Sequence, residues 1–181
     1  QAQDAATQLG LPVVLKVLSP DIIHKSDVNG VYVNLQTLQQ VEDAYERIAS
    51  ETGCGDVLVA AYRSGATELI AGAVHDSVFG PCLMLGAGGI YAEALLDFSI
   101  RVLPTNASEI TSALQGLRIF PILQGQRGEA GTDIGRLTQM LLSLANLIAT
   151  EPLIAEMDLN PILVRGNTLE VADARIIVSG S

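Results

Sequence analysis

The chain has 181 residues, 49% hydrophobic and 17% charged, enough apolar content for a packed core in one domain or two small lobes. Its formal charge of −10 excludes the basic patch that a nucleic-acid partner requires, while leaving room for a nucleotide held by a few lysines, backbone amides and a cation. Cys54 and Cys82 are too few and too far apart for a disulfide framework or a zinc site, no apolar run reaches the ~18–20 residues of a membrane helix, and no signal pattern opens the chain, so the expectation is a soluble cytoplasmic protein with no membrane partner.

The first residues, Gln1 to Leu9, read as the later part of an amphipathic helix ended by Gly10. With no initial Met, the expectation is an excised domain. Val13 to Leu18 is a β-rich run stopped by Ser19-Pro20, and it carries Lys16. A lysine in such a run either sits at a sheet edge and reaches water or is held for an anion, because an unpaired buried ammonium is costly. The polar loop 19–29 brings together His24, Lys25 and Ser26. His24 fits either a phosphoryl acceptor or an ordinary solvent-exposed loop histidine. A strand over 30–35 follows, then Thr37-x-x-Gln40 forms a capping box for a helix through Val41, Ala44 and Ile48 to a stop at Gly53.

Residues 56–62 and 67–76 read as strands, the second with Glu68 near its start. A strand at 82–85 runs into Gly86-Ala87-Gly88-Gly89 and a short helix over 90–95. This arrangement suits an anion nest or a tight turn, but it matches neither a Walker A sequence nor a full G-x-G-x-x-G. After a strand at 98–103, Asn106-x-x-Glu109 starts a helix to about Gln115, and residues 120–129 read as a loop holding Arg127 between glycines. Thr132 or Asp133 opens the longest helix, whose Ile134, Leu137, Leu141, Leu144 and Ile148 form a core stripe.

The chain closes on two alternating arms, 157–164 and 169–178, around Gly166-Asn167, a two-residue hairpin signal. In that register Arg165 faces Thr168 and, counting outward in step, Asn160 faces Asp173. Opposed side chains sit roughly 4.5–5.5 Å apart at Cβ, so a carboxylate and a carboxamide meet at one spot. The pair suits magnesium, which takes few protein oxygens and leaves the rest to water and phosphate. It equally suits the solvated polar end of an ordinary hairpin, and Pro161 signals an edge or a bulge that could shift the register.

Several stretches together, in order, resemble the ATP-grasp domain of the ADP-forming (NDP-forming) acyl-CoA synthetases, relatives of the succinyl-CoA synthetase β chain. They are Gly-Leu-Pro-Val-Val-Leu-Lys at 10–16, Ser-Pro-Asp-Ile-Ile-His-Lys-Ser-Asp at 19–27, Asp-Ser-Val-Phe-Gly-Pro at 76–81 and Gly-Ala-Gly-Gly-Ile-Tyr-Ala-Glu at 86–93. Gly-Gln-Arg-Gly at 125–128, Asp-Leu-Asn-Pro at 158–161 and Asp-Ala-Arg-Ile at 173–176 complete the set.

The resemblance implies an α+β, ATP-grasp fold of two lobes with mainly antiparallel sheets flanked by helices, gripping Mg-ATP or Mg-ADP. The expected lobes are 1–56, lacking the family's opening segment, and 57–181. It implies that Lys16 contacts the nucleotide phosphates, that Asn160 and Asp173 hold magnesium, that Glu68 is the acid after the hinge, and that His24 relays a phosphoryl group. Val59 and Ala61 fall in the hinge that frames the adenine, where this chain reads Val59-Ala60-Ala61-Tyr62 instead of the common Val-Gln-x-Met. The implied function is nucleotide binding and phosphoryl transfer in an acid–CoA ligase, with CoA-binding and CoA-ligase domains or a subunit as partners. The alternative is a regulatory or degenerate ATP-grasp module of a larger protein N-acetyltransferase.

Overall fold

The computed structural model describes residues 1–22, 25–89, 92, 96–125 and 130–179. The chain divides into two compact units, Gln1–Ser64 and Gly65–Ser181.

In the first unit, strand β1 (Val13–Val17) lies between β2 (Val31–Leu35) and β3 (Val57–Ala61), antiparallel to both. Val13, Leu15 and Val17 turn inward onto helices α1 (Ala2–Leu9) and α2 (Leu38–Thr52), meeting Ala6, Val41, Ala44 and Ile48 in one core cluster. The helical spacing of Val41, Ala44 and Ile48 puts all three on that face. Thr37 and Gln40 close the capping box at the start of α2, and Gly53, in the left-handed conformation, ends it. The division falls at Ser64, eight residues beyond the expected lobe boundary, because β3 pairs with β1 along its whole length, from Val13↔Ala61 to Val17↔Val57. The paired residues lie 40 to 48 positions apart in sequence, and local pattern carries no information about so distant a pairing.

The second unit is built on strands β4 (Thr67–Asp76), β5 (Gly80–Ala87), β6 (Phe98–Val102), β7 (Ile154–Arg165), β8 (Thr168–Val171) and β9 (Ala174–Val178). Their order is β6-β5-β4-β7-β8, with β9 also paired to β7, and every ladder is antiparallel. Leu69, Ala71, Ala73, Leu83 and Leu85 alternate onto one face. There they pack with Ile110 and Leu114 of helix α3 (Ala107–Gln115) and Leu137, Leu141 and Ile148 of helix α5 (Ile134–Thr150). Each such fully buried side chain contributes on the order of 1.5–3 kcal/mol. Asn106 and Asp133 cap α3 and α5 through the N–H groups of Glu109 and Arg136.

Three local expectations are revised. Part of the expected loop at 120–129 is a one-turn helix, α4 (Phe120–Leu123), with Pro121 in its first turn, where a missing N–H costs nothing. Strand β5 continues through Gly86 and Ala87 because those residues still pair with Ile70 and Leu69. The final arm is two strands, interrupted at Ala172 and Asp173.

Candidate functional site

The closing hairpin has the expected register. Arg165 pairs with Thr168 and Ile162 with Val171, and the same step resumes at Leu159↔Ala174 and Asp158↔Arg175. Between these stretches Asn160 opposes Asp173, its N–H donating to the Asp173 carbonyl at 3.1 Å, while Ala172 donates to the Pro161 carbonyl at 2.9 Å.

Pro161 does create an irregularity, on the other side of β7. From Leu69↔Ile162 to Ala71↔Leu159 the β4 ladder advances two residues on one strand and three on the other, so Asn160 and Pro161 together oppose Ile70. Toward β8 and β9 the two-residue stretches 160–161 and 172–173 match, and the register survives. Because Leu159 and Ile162 both face the core, the residues between them belong to the opposite face, turned away from α3 and α5.

That face gathers more than the predicted pair. Asp158, two residues along the strand, pairs with Gly72 and Arg175, and its Oδ1 lies 4.0 Å from where a Gly72 Cβ would stand. Arg175 in turn forms an ion pair with Glu156. On the other side of the pair, Glu68 opposes Leu163, which opposes Glu170. The sheet thus brings Glu68, Asn160 and Asp173 to one face, together with Asp158, which the sequence reading left unassigned. Its period-two spacing from Asn160 was the available signal.

The glycines at 86–89 are explained by packing. A Cβ on Gly88 would stand 3.0 Å from the Glu68 and Leu69 carbonyl carbons, and one on Gly89 would stand 2.6 Å from Glu68 Oε2. Gly88 donates its N–H to the Glu68 carbonyl at 2.8 Å, and Gly89 has φ +56. A Glu68 carboxylate oxygen lies beside Gly89, so the described part of this turn packs against the Glu68 side chain.

A second residue unremarked in the sequence is Asp97, 8% exposed, whose two carboxylate oxygens accept the N–H groups of Arg118 (2.8 Å) and Ile119 (2.9 Å). It ties the entry of β6 to the approach of α4. At the β4–β5 turn, Asp76 Oδ1 accepts N–H groups from Phe79 and Val78, both at 2.8 Å, and these bonds hold its carboxyl below the usual aspartate range.

In the first unit Lys16 is 9% exposed and lies in a central strand, so the edge-lysine alternative is set aside. It pairs with Val31 and Leu58, on the face opposite Leu15 and the helices. Val59 and Ala61 oppose Leu15 and Val13, so their side chains belong to the core face. The bonds Tyr62 N–H to Pro12 O and Leu18 N–H to Asp56 O fix the alternation of the β1–β3 ladder. Under it, Val59 and Ala61 direct their backbone N–H and C=O toward the outer edge of β3, and any contact they make with a base is a backbone contact. His24, Arg127 and most of the expected 90–95 helix lie outside the described residues.

Comparison with known proteins gives the decisive observation: the ATP-grasp domain family matches residues 1–178. The chain belongs to the ATP-grasp family. The ADP-forming acetate–CoA ligase I of Archaeoglobus fulgidus is 38% identical to it over 98% of this chain and 27% of that protein. The β subunit of the ADP-forming acetate–CoA ligase II of Pyrococcus furiosus is 34% identical over 99% of this chain and 80% of that subunit. This ATP-grasp chain therefore spans about a quarter of the Archaeoglobus relative and most of the Pyrococcus β subunit. Solved structures of the dinucleotide-forming acetyl-coenzyme A synthetase 1 of Ca. Korarchaeum cryptofilum superpose with TM-scores of 0.85, in complex with coenzyme A and Ca-AMPCP, and 0.78, with coenzyme A and Mg-AMPPCP. Identities are 35% and 36%, covering 98% of this chain and 80% and 81% of those chains. In the second, the phosphohistidine segment points towards the nucleotide-binding site.

The fold expected from the sequence, α+β with antiparallel sheets flanked by helices, is the fold observed.

Proposed function

We propose that this ATP-grasp domain supplies the nucleotide-binding and phosphoryl-transfer part of a cytoplasmic ADP-forming acyl-CoA synthetase, which interconverts acyl-CoA, ADP and phosphate with a carboxylic acid, CoA and ATP. The observation that carries the reading is the opposition of Asn160 and Asp173 on the face of the second sheet turned away from α3 and α5, in a chain so similar to CoA ligases.

The donor chemistry fits magnesium. Among the described residues no group of three or more His, Cys, Asp or Glu forms a metal centre by itself. A cation at Asn160 and Asp173 therefore relies on one carboxylate, one carboxamide oxygen, water and phosphate, which is magnesium's habit. When bound, magnesium neutralises charge on the phosphate oxygens. Lys16, nearly shielded from bulk water, is the lysine suited to the nucleotide phosphates, and its charge is worth more there than in solvent. The backbone of Val59 and Ala61 frames the base, and Glu68, packed against Gly88 and Gly89, is a further nucleotide contact.

His24 accepts the γ-phosphoryl group of ATP: a nitrogen–phosphorus bond forms, the bond to the ADP oxygen breaks, and the imidazole gives up its N–H proton. The CoA-binding and CoA-ligase partners then use the phosphoryl group to activate the acid. The alternative of a regulatory module in an N-acetyltransferase finds no support in the relatives named above, all of which are CoA ligases or synthetases.

Incubating the full-length protein with γ-labelled ATP and Mg²⁺ tests the assignment. Acid-labile, base-stable label on His24 is the expected result; a His24→Ala variant that keeps full turnover rules out the relay.

A further inference from the structure

The two edges of the second sheet differ. At one edge, β8 and β9 carry Glu170 and Arg175 and are interrupted at Ala172 and Asp173. Short, broken, charged edges are how sheets avoid pairing with another chain. At the other edge, β6 runs along β5 without a register shift from Gly86↔Phe98 to Cys82↔Val102, and its only charged residue is Arg101. Phe98, Ile100 and Val102 alternate along it at 54%, 54% and 51% exposure. They lie on the face turned away from α3 and α5, since the core residues Leu83 and Leu85 oppose Arg101 and Ser99 instead. Leu96, 73% exposed, precedes them, and the β4–β5 turn adds Val78 (80%) and Phe79 (67%) beyond the Val102 end.

The backbone of β6 is one-sided in the same sense. Ala87 donates its N–H to the Asp97 carbonyl, and Leu103 donates to the Pro81 carbonyl, both at 2.9 Å. Antiparallel ladders alternate, so residues 97, 99, 101 and 103 bond to β5, while Phe98, Ile100 and Val102 direct their N–H and C=O groups out of the sheet. The Arg101 guanidinium donates to the Ile100 carbonyl and to Ser99 Oγ, both at 2.8 Å. A carbonyl oxygen has two lone pairs, so Ile100 can still accept a second bond. The chain's charge of −10 opposes the approach of a second copy elsewhere. Between residues 96 and 104 the single acid is Asp97, which is turned inward onto the Arg118 and Ile119 N–H groups, so two copies meeting here bring no carboxylates together.

We propose that β6 pairs with β6 of a second copy of this chain, antiparallel about a two-fold axis at Ile100, joining the two sheets edge to edge. In that register Ile100 faces Ile100, Phe98 faces Val102 and Arg101 faces Ser99, so one patch is complementary to itself, as a two-fold contact requires. Apolar side chains meet on one face and the Arg–Ser pairs on the other. Every outward N–H and C=O of Phe98, Ile100 and Val102 finds a partner, which a shift of the centre by one residue would not achieve. The two guanidinium groups stay two residues apart along the strands. At about 100 Å² apiece, the six exposed apolar side chains offer on the order of 600 Å² per copy, approaching the ~800 Å² per partner of a stable interface, and the strand backbone adds to it. This proposal is independent of the nucleotide reading above.

The test uses the full-length protein with Cys54→Ser, which removes the less buried of the two cysteines. Ile100→Cys should then oxidise to a disulfide-linked homodimer, because opposed Cα atoms of a hydrogen-bonded pair stand roughly 5.5 Å apart, within disulfide range. Phe98→Cys should give none, since its two copies lie four residues out of step, ~13 Å along the strands. Separately, Ile100→Lys places a charge on the edge. Amide exchange at Phe98 and Val102 should become at least about tenfold faster than in wild type, while Ser99 and Arg101, bonded to β5, keep their protection and report an intact sheet. The proposal is overturned if Ile100→Cys links to a different polypeptide or to nothing, if Phe98→Cys links as readily, or if Ile100→Lys leaves exchange at Phe98 and Val102 unchanged.

Discussion

The backbone N–H of Asn160 donates to the carbonyl of Asp173 at 3.1 Å, and that bond sets two oxygen-bearing side chains opposite each other in a hairpin closed by Gly166 and Asn167. Side-chain substitutions at either residue leave it in place. Asn160→Ala and Asp173→Ala should therefore each weaken magnesium-dependent nucleotide binding by roughly tenfold or more, a loss that even outer partners of metal ligands cause. At Asn160, which is exposed, the unfolding free energy should change by less than about 1 kcal/mol. Calorimetric titration with and without Mg²⁺, beside urea denaturation, separates the two effects.

Glu68 and Gly89 should behave as a coupled pair. Gly89→Ala drives a Cβ toward the Glu68 carboxylate and imposes an unfavourable φ, so it should destabilise the protein by about 1–3 kcal/mol and weaken nucleotide binding. In a Glu68→Ala background the same substitution should cost less, because the colliding side chain is gone. A double-mutant cycle by denaturant unfolding measures the difference, and strict additivity would contradict this packing.

Asp97→Ala strips the Arg118 and Ile119 N–H groups of their acceptors at a nearly buried position, an expected loss of roughly 2–4 kcal/mol. Asp97→Asn should rescue little, since both oxygens are in use and the replacement NH₂ meets a donor. Urea midpoints compare the two variants directly.

Asp76 sets a pH dependence. Its folded pKa is depressed, chiefly by the bond from Phe79 and then by that from Val78, so its contribution to stability is complete above the ordinary aspartate value of 3.8 and is lost as pH falls through the lowered folded value. Replacing Asp76 by Asn keeps an acceptor for the turn and removes the titration. The difference in thermal midpoint between wild type and Asp76→Asn should shrink on acidification below about pH 4 and stay constant between pH 5 and 8.

Local chemistry made much of this molecule legible. The Thr37–Gln40 capping box, the Asn106 and Asp133 caps and the Gly166-Asn167 turn were all readable, because each is specified by residues within a few positions of one another. Opposition of Asn160 and Asp173 followed from the turn plus period-two counting, and it survived Pro161 because the extra residue was absorbed on the β4 side. What was hidden depends on partners distant in sequence: the enrolment of β3 in the first unit, the central position of Lys16, the approach of β4 that requires Gly88 and Gly89, and the two N–H groups that Asp97 serves. Asp158 was missed differently, since its spacing from Asn160 was visible but the sequence did not say which face that spacing reached.

The two halves of the proposed chemistry differ in how they can be transplanted. Asn160 and Asp173 are thirteen residues apart along the chain and face each other over a two-residue turn. Lys16, by contrast, is positioned by β2 and β3, which bracket a loop and a helix. Closing a short loop involves less chain entropy than closing a long one. The cation-binding end is thus a graftable hairpin that carries its own geometry into any sheet accepting its core face, whereas the phosphate-binding end can be moved only with the whole first unit.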